Sequence, residues 1–368
     1  MSKKIFLDAP NIGEYEEKKV NEALKSGFVS TCGPFVGEFE ERFAGYIGAE
    51  RAVSMQSGTA ALHMALHELG IGRDDEVIVP ALTFVATVNP VTYVGAKPVF
   101  ADVNVKTWNI DPSQIEKKIT EKTRAIIPVH LYGNPCDMDE IMEIAKKNDL
   151  YVIEDATESL GSKYNGWHTG TFGDMGCFSF NGNKTITTGG GGMVVSNDGS
   201  RMKHLKFLVN QARDEEAGYY HPEVGFNYRM TNLEAALGLA QMDRSEVFFE
   251  KKKKFNEIYK REFAEFGFIR FQKEYERAEG LFWLTCIVFD EKMDLGRLQE
   301  RLKEKGIPTR RIFMPVVRFP FYGKFVSGEY PNSDYIYERG LGLPSSTLNS
   351  EEDIHYVCEN IKDLVSRS

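Results

Sequence analysis

The stretch RAVSMQSGTAALHMALHELG, residues 51–70, joins a strand pattern, a short polar turn and a helix pattern. RAVSM is typical of a short buried strand, and the apolar residues of TAALHMALHELG recur at helical spacing as far as Gly70. Further strands are predicted from DEVIVP, KPVFADV, RAIIPVHLYG and LYVIED, and helices between them from TVNPVTYVGA, DPSQIEKKI and MDEIMEIAKKND. This α/β alternation, which continues to about residue 210, predicts a mainly parallel sheet between two layers of helices.

A second, smaller unit follows the alternating region. Residues 231–266 predict a long helical stretch that is broken near Asp243. After it come the apolar run LFWLTCIVF, a helix pattern in DLGRLQERLKEKG, the segment IPTRRIF and a last helix pattern in EEDIHYVCENIKDLV. We therefore predict a large domain over residues 1–245 and a small C-terminal α/β domain over residues 246–368.

The charge balance argues against general nucleic-acid binding. The 368 residues include 45 basic and 54 acidic side chains, which gives a net charge of −9. One basic run, KKKK at residues 251–254, lies among apolar residues at helical spacing. This pattern favours a solvated helix face over a binding patch.

The sequence also predicts a cytoplasmic protein without a membrane partner. No apolar stretch approaches the ~18 residues of a membrane span, and the N-terminus lacks the apolar core of a signal peptide. The cysteines are odd in number and scattered, with no CxxC pair, which is typical of reduced thiols. They are Cys32, Cys136, Cys177, Cys286 and Cys358.

Parallel sheets bind ligands at the carboxyl ends of their strands, so the residues after each strand are informative. Ser57, Gly58 and Thr59 follow RAVSM at the start of a helix, where free backbone N–H groups favour an anion such as phosphate. Ordinary helix capping by Ser57 is the alternative. Asp155 ends the apolar strand LYVIED and requires a cation or hydrogen-bond donors, although a helix cap or a structural ion pair would satisfy it. Phe84 follows DEVIVP, where core packing is the simpler interpretation.

A single lysine stands in SFNGNKTITTGGGGMVVSND, residues 179–198, between two apolar runs. Lys184 is either a surface-turn residue or a lysine kept reactive inside a site, since a buried ammonium is costly. The glycines at positions 189–192 permit tight passage of the backbone. An anion cradle, an acid at a strand end and one lysine in a turn together fit a phosphorylated pyridine aldehyde. The phosphate needs the cradle, the ring nitrogen needs the acid and the aldehyde needs the lysine.

Five segments carry a resemblance to a known family. They are SGTAALHMAL, PALTFVATVNPVTYVGAKPVFADV, VIEDATESLGSKYNG, GTFGDMGCFSFNGNKTITTGGGGMVV and GFNYRMTNLEAALGLAQM. Together they resemble the DegT/StrS family of nucleotide-sugar aminotransferases, which use pyridoxal 5'-phosphate on the aspartate-aminotransferase fold (fold type I). SFNGNK and FNYRMTN most resemble members that act on UDP-4-keto-6-deoxy sugars of the N-acetylglucosamine type.

The resemblance implies an enzyme that moves the amino group of L-glutamate onto a nucleotide-linked 4-keto-6-deoxy sugar. The product would be a 4-amino-4,6-dideoxy sugar for lipopolysaccharide or glycan biosynthesis. Alternatives are a 3-keto-sugar or other small-molecule aminotransferase, or a non-catalytic regulator that binds pyridoxal phosphate. Retention of both Lys184 and Asp155 favours chemistry over regulation.

By position in the matching motifs, Lys184 would form the Schiff base and Asp155 would pair with the ring nitrogen. Phe84 would stack on the ring. The phosphate would be held by Gly58, Thr59 and Ser179, and by Asn227 reaching from the neighbouring subunit of a homodimer with shared active sites. From the spacing alone, a loop asparagine such as Asn227 is more often a local turn residue.

Glu158 stands where many members carry a glutamine that contacts the phenolic oxygen of the cofactor. An ionised Glu158 would repel a phenolate, so the side chain should be protonated, turned away or bonded to another group.

No metal is predicted. His63 and His67 stand at i and i+4 on one helix, but the intervening residues lack the glutamate of a zincin. Packing of one helix face is the better interpretation. His168 and His221, in predicted loops, are candidates for substrate contact.

Overall fold

The computed structural model describes residues 4–214 and 216–366. Its helices are α1 (Glu14–Ser26), α2 (Pro34–Ile47), α3 (Gly58–Glu68), α4 (Val85–Tyr93), α5 (Pro112–Glu116), α6 (Met138–Lys147), α7 (Gly199–Val209), α8 (Asn232–Asp243), α9 (Ser245–Glu262), α10 (Leu295–Glu304), α11 (Pro331–Arg339) and α12 (Glu351–Val365). Its strands are β1 (Arg51–Met55), β2 (Glu76–Pro80), β3 (Lys97–Ala101), β4 (Thr123–Ile126), β5 (Tyr151–Asp155), β6 (Lys163–Tyr164), β7 (Trp167–His168), β8 (Met175–Ser179), β9 (Gly192–Ser196), β10 (Ile269–Phe271), β11 (Ala278–Glu279), β12 (Cys286–Phe289), β13 (Arg310–Arg311) and β14 (Gly340–Gly342).

A seven-stranded sheet organises the first two thirds of the chain, in the order β1-β9-β8-β5-β4-β2-β3. β9 runs antiparallel to both of its neighbours, β1 and β8, and the other strands run in one direction. The mainly parallel sheet expected from the sequence is therefore confirmed. The carboxyl ends of six strands meet along one edge, which is the edge predicted to hold the site.

Helices cover both faces of this sheet, because successive side chains of a buried strand point to opposite sides. In β2, Val77 and Val79 pack into a core with α3 and α4, whereas Ile78 packs into another core with α6. α2 and α8 close the rest of the second face around Phe39, Phe43 and Leu239.

The C-terminal part has a sheet of its own, in the order β10-β12-β14-β13, with all pairs antiparallel. It packs against α9, α10 and α12 in a separate apolar core that also contains Ile5. The N-terminal segment thus contributes to the second core, although it precedes the large sheet in the sequence. The boundary near residue 245 stays a prediction; α8 and α9 meet there.

The interpretation of residues 251–254 as a solvated face is wrong for Lys252. This side chain is 4% exposed, and its Nζ donates to the carbonyl oxygens of Trp283 (2.8 Å) and Ser345 (2.9 Å). Burial lowers the pKa of Lys252 to about 7. Lys251 donates to the Thr347 carbonyl at 2.6 Å, while positions 253 and 254 are exposed as expected. The first half of the run therefore ties α9 to neighbouring loops.

The four cysteines after Cys32 are buried, and all five are free thiols. Among the described residues, no helix is both long enough and apolar enough to cross a membrane.

Candidate active site

The predicted site residues gather at the carboxyl edge of the large sheet. Gly58 begins α3 directly after β1, Ser179 ends β8 and Asp155 ends β5. Phe84 immediately precedes α4 in the connection after β2, and Lys184 lies in the turn between β8 and β9. Residues that are widely separated in the sequence thus share one edge because their strands run in the same direction.

The turn after β1 forms a narrow cradle of small side chains. A Cβ atom added at Gly58 would lie 2.9 Å from Ser179 Cβ and 3.1 Å from Thr157 Cγ2. Ser57 Oγ accepts the Ala60 N–H at 3.1 Å, so the capping interpretation of Ser57 is confirmed. Gly192 allows β9 to pass close by, since a Cβ there would lie 2.4 Å from the Ser57 carbonyl carbon. The backbone N–H groups at the start of a helix favour a small anion, so this cradle suits a phosphate group.

Lys184 is not a surface residue. Its side chain is 14% exposed, and its Nζ lies 3.8 Å from Glu158 Oε1 and 4.3 Å from the centroid of the Trp283 ring. Burial lowers the pKa of Lys184, and the carboxylates of Glu158 and Asp155 oppose this effect. The net direction favours the neutral amine, which is the form able to act as a nucleophile or a base.

Asp155 is 2% exposed and is held by two neutral donors. Its Oδ2 accepts the Thr87 hydroxyl at 2.7 Å, and its Oδ1 accepts the Thr157 N–H at 3.2 Å. Thr87 is itself 2.8 Å from the hydroxyl of Thr83. Neither of these two donors is charged, so a cationic group at this edge could pair with the carboxylate.

Glu158 is bonded to another group, which is one of the three arrangements expected for it. Its Oε2 accepts the backbone N–H of Tyr132 at 2.8 Å, and Tyr132 adopts a left-handed conformation with φ of 56°. Burial raises the pKa of the Glu158 carboxyl, while Lys184 and the Tyr132 N–H lower it. The carboxyl is therefore fixed beside Lys184, and its contact with a cofactor stays a prediction.

Phe84 is not a core residue, so the packing interpretation is wrong for it. Its side chain is 52% exposed, and its ring lies 5.3 Å from that of Phe313. Phe313 stacks on Tyr132 at 5.1 Å, and Tyr132 stacks on Trp283 at 6.3 Å. A row of aromatic rings thus runs from Lys184 to an exposed phenyl face at the end of β2, which is suited to stacking on a planar ligand.

Asn227 lies in the loop before α8 and is exposed. Its backbone forms an isolated antiparallel bridge with Asn210. The next residue, Tyr228, accepts the Gln56 N–H at 2.8 Å through its carbonyl, which brings this loop beside the end of β1. Asn227 is therefore exposed and lies close to the cradle at the start of α3. Its contact with a neighbouring subunit stays a prediction.

Several residues of this edge are not predicted as site residues by the sequence. Trp283 lies in the apolar run LFWLTCIVF, and Tyr132 lies in a segment predicted as a strand although β4 ends at Ile126. Thr87 and Thr157 gave no signal beyond their nearness to Phe84 and Asp155. The only signal for Trp283 was its position ahead of a strand, and that position does not indicate which side chain the indole contacts.

The histidines show packing or local contacts. His63 Nδ1 lies 3.3 Å from the Tyr228 hydroxyl, and its ring packs edge-on against Tyr93 and Phe226. His168 Nδ1 is buried without a hydrogen-bond partner, and burial lowers the pKa of His168 to about 4. His221 is exposed and donates from Nδ1 to the Gln211 carbonyl at 2.8 Å. None of these contacts joins a histidine to the Lys184 edge.

These groups fit pyridoxal phosphate. The cradle at Gly58 has no room for a larger side chain, Asp155 accepts hydrogen bonds from the Thr87 hydroxyl and the Thr157 N–H, and Lys184 is buried with a lowered pKa. Phe84 supplies an exposed aromatic face on the same edge. Each feature matches one part of the cofactor: phosphate, ring nitrogen, aldehyde and ring face.

A family model for DegT/DnrJ/EryC1/StrS aminotransferases matches residues 10–362. The chain belongs to this family. It is 42% identical over 357 residues to a GDP-perosamine synthase of Escherichia coli O157:H7, with 97% of each chain covered. It is 40% identical to a GDP-perosamine synthase of Caulobacter vibrioides, with 96% of each chain covered.

Solved structures agree with the family assignment. Spr1654 of Streptococcus pneumoniae, assigned to the sugar aminotransferases, superposes in its PLP form with a TM-score of 0.94 at 29% identity and 99% coverage of both chains. Helicobacter pylori PseC, an aminotransferase of pseudoaminic acid biosynthesis, superposes with a TM-score of 0.93 at 25% identity, covering 98% of this chain and 99% of its own.

The expected fold type I and the pyridoxal phosphate dependence are thereby confirmed. The chain is a sugar aminotransferase of the DegT/DnrJ/EryC1/StrS family.

Proposed function

We propose that this aminotransferase moves the amino group of L-glutamate onto C4 of a nucleotide-linked 4-keto-6-deoxy sugar. The observation that carries the proposal is the buried amine of Lys184, 3.8 Å from Glu158 on the strand edge that also holds Asp155. Two relatives that match nearly the whole chain are named for GDP-perosamine, a 4-amino sugar, which supports the position of amination. The product would enter surface polysaccharide or glycan synthesis.

In this proposal, each residue has a separate task. Gly58, Thr59 and Ser179 hold the phosphate of the cofactor, and Phe84 covers one face of its ring. Pyridoxal phosphate supplies a ring that accepts the electron pair of a broken C–H bond and a carbon that carries the amino group between substrates. Asp155 would pair with the ring nitrogen and favour its protonated form.

Lys184 moves the proton that the reaction requires. Its Nζ removes a proton from the α-carbon of the amino donor and later delivers one to the sugar carbon that receives the amino group. Both tasks need an amine that is neutral near pH 7, and burial lowers the pKa of Lys184 in that direction. The Trp283 ring lies 4.3 Å from the amine and covers one side of it.

The nucleotide is a separate question. The motifs SFNGNK and FNYRMTN predict a UDP-linked substrate, whereas the relatives named above act with GDP-linked sugar. A non-sugar substrate is the alternative, since 3-amino-5-hydroxybenzoic acid synthase superposes with a TM-score of 0.93 at 27% identity, covering 99% of both chains.

The substrate prediction is tested with glutamate labelled with nitrogen-15 at its amino group. The purified protein, loaded with pyridoxal phosphate, is given GDP- or UDP-linked 4-keto-6-deoxy sugar. We expect label at C4 of one of the two sugars, and release of 2-oxoglutarate with glutamate alone because the donor half-reaction needs no sugar. No transfer of the label to C4 of either sugar would contradict the proposal.

We further propose that two subunits form a homodimer with shared active sites, in which Asn227 completes the phosphate site of the partner. Support comes from the exposure of Asn227 on a loop that lies beside the end of β1. In a twofold dimer, each subunit presents the same surface to the other, so both sites would be completed in the same way.

Mixing Lys184→Ala and Asn227→Ala proteins during refolding tests this sharing. In a hybrid dimer one site would hold both lesions and the other none, so about a quarter of all sites should recover activity. No recovery from an impaired Asn227→Ala protein would place Asn227 in its own subunit's site. Full activity of Asn227→Ala alone would remove any role in phosphate binding.

A further inference from the structure

The N-terminal segment carries a carboxylate into the neighbourhood of Lys184. Its backbone is fixed to the C-terminal part of the chain. The N–H of Phe6 donates to Asn349 Oδ1 at 2.9 Å, Asn349 Nδ2 donates to the Phe6 carbonyl at 2.7 Å, and the Leu7 carbonyl accepts the Ser345 N–H at 2.7 Å. Asp8 therefore projects from a backbone that the small domain holds in place.

The side chain of Asp8 joins two parts of the molecule. Its Oδ2 accepts Arg310 Nη1 at 2.8 Å and Asn183 Nδ2 at 2.9 Å, and its Oδ1 lies 3.3 Å from Arg310 Nη2. The carboxylate is 11% exposed, so solvent screens these contacts less than those of a surface ion pair. Asp8 thus connects β13 of the small domain with the turn between β8 and β9.

Asn183 immediately precedes Lys184, and both its side chain and its backbone form hydrogen bonds. Its Oδ1 accepts Asn181 Nδ2 at 3.1 Å, and its carbonyl accepts the indole N–H of Trp283 at 2.6 Å. The Lys184 N–H donates to the Asn181 carbonyl at 2.9 Å, which closes the turn. Movement of the Asn183 side chain would therefore move the residue that carries the reactive amine.

We propose that Asp8 is a positioning residue for Lys184, locking the lysine-bearing turn to the small domain through Asn183 and Arg310. The proposal rests on the proposed role of Lys184 in the reaction. It gives the N-terminal segment a function beyond closing the second apolar core, and it links the position of the small domain to the reactivity of the amine.

Electrostatics gives this role a signature that a structural anchor lacks. The Asp8 carboxylate raises the pKa of Lys184, and the Arg310 guanidinium lowers it. Loss of the carboxylate would remove the first effect and leave the second in place, while Glu158 and Asp155 would still raise the pKa of Lys184. Asp8→Asn should therefore lower the pKa of the Lys184 amine, whereas Arg310→Gln should raise it.

The test measures acetylation of Lys184 by acetic anhydride as a function of pH in the full-length protein, with mass spectrometry of the Lys184 peptide. The protein is loaded with pyridoxamine phosphate, which leaves the amine free. We expect a pKa lower by about half a unit or more in Asp8→Asn, and higher by a similar amount in Arg310→Gln. The double variant should lie closer to the wild type than Asp8→Asn does.

Asp111→Asn is the matched control, because it makes the same change from carboxylate to amide at the cap of α5, where the side chain accepts the Ser113 N–H. It should leave the pKa of Lys184 unchanged. The same pKa in the wild type and Asp8→Asn would overturn the proposal. If Asp8→Asn does not fold, an unchanged pKa in Arg310→Gln would overturn it equally.

Failure of the proposed function would be visible separately. Pyridoxal phosphate should protect Lys184 from acetylation if this lysine carries the cofactor. Absence of protection would contradict that role of Lys184, while the pKa comparison would still report on the positioning by Asp8.

Discussion

Replacing Lys184 with alanine should reduce transamination by at least about 10³-fold. The amine is the proton carrier of the proposed reaction. Its neighbours Glu158 and Trp283 carry no amine that could replace it. Turnover is measured as formation of 2-oxoglutarate from glutamate in the presence of the sugar substrate. Circular dichroism and thermal unfolding check that the variant folds.

The Lys184→Arg variant tests whether the positive charge of Lys184 or its ability to transfer a proton is required. The guanidinium keeps a cation beside Glu158 but remains protonated at all working pH values, so this variant should be as inactive as Lys184→Ala. Lys253→Ala, at an exposed position of α9, is the control and should keep wild-type turnover. Activity within about tenfold of wild type in Lys184→Arg would contradict the role of Lys184 as the base.

Replacing Asp155 with asparagine should lower kcat by about 10²- to 10³-fold while the fold survives. The variant keeps the size of the side chain and removes the charge that would hold a proton on the ring nitrogen. Thr87 can rotate its hydroxyl to accept from the new amide, and the amide oxygen can still accept the Thr157 N–H. The loss should therefore appear in turnover and not in stability.

Asp111→Asn provides the comparison for this variant. Asp111 caps α5 by accepting the Ser113 N–H at 2.9 Å, and asparagine caps helices about as well as aspartate. Its turnover should equal that of the wild type. If Asp155→Asn is equally active, the charge at the end of β5 has no part in the reaction.

Local sequence patterns predicted the parts of the site that lie just after strands. A strand that ends in Asp155 and a helix that begins at Gly58 are short-range features, and a parallel arrangement brings them to one edge whatever the strand order. The same reasoning placed Lys184 in a turn between two strands. It could not tell that β9 runs antiparallel between β1 and β8, because strand direction depends on long-range pairing.

Contacts between distant segments could not be predicted from the sequence. Asp8 meets Asn183 across 175 positions, and Trp283 meets Asn183 across 100 positions. Neither pair has a periodicity or a spacing that would reveal it. The exposure of Phe84 could not be predicted for a related reason: an aromatic residue after a strand is usually buried, and the ring that Phe84 contacts, that of Phe313, is distant in the sequence.

We propose that Lys184 is the lysine that carries pyridoxal phosphate. The loaded protein is reduced with borohydride, and the labelled peptide is identified by mass spectrometry. Lys252 is a fair competitor, because it is buried and burial lowers its pKa to about 7. We expect the label on Lys184, in the peptide that contains residues 179–198; a label on Lys252 or on any other lysine would refute the assignment.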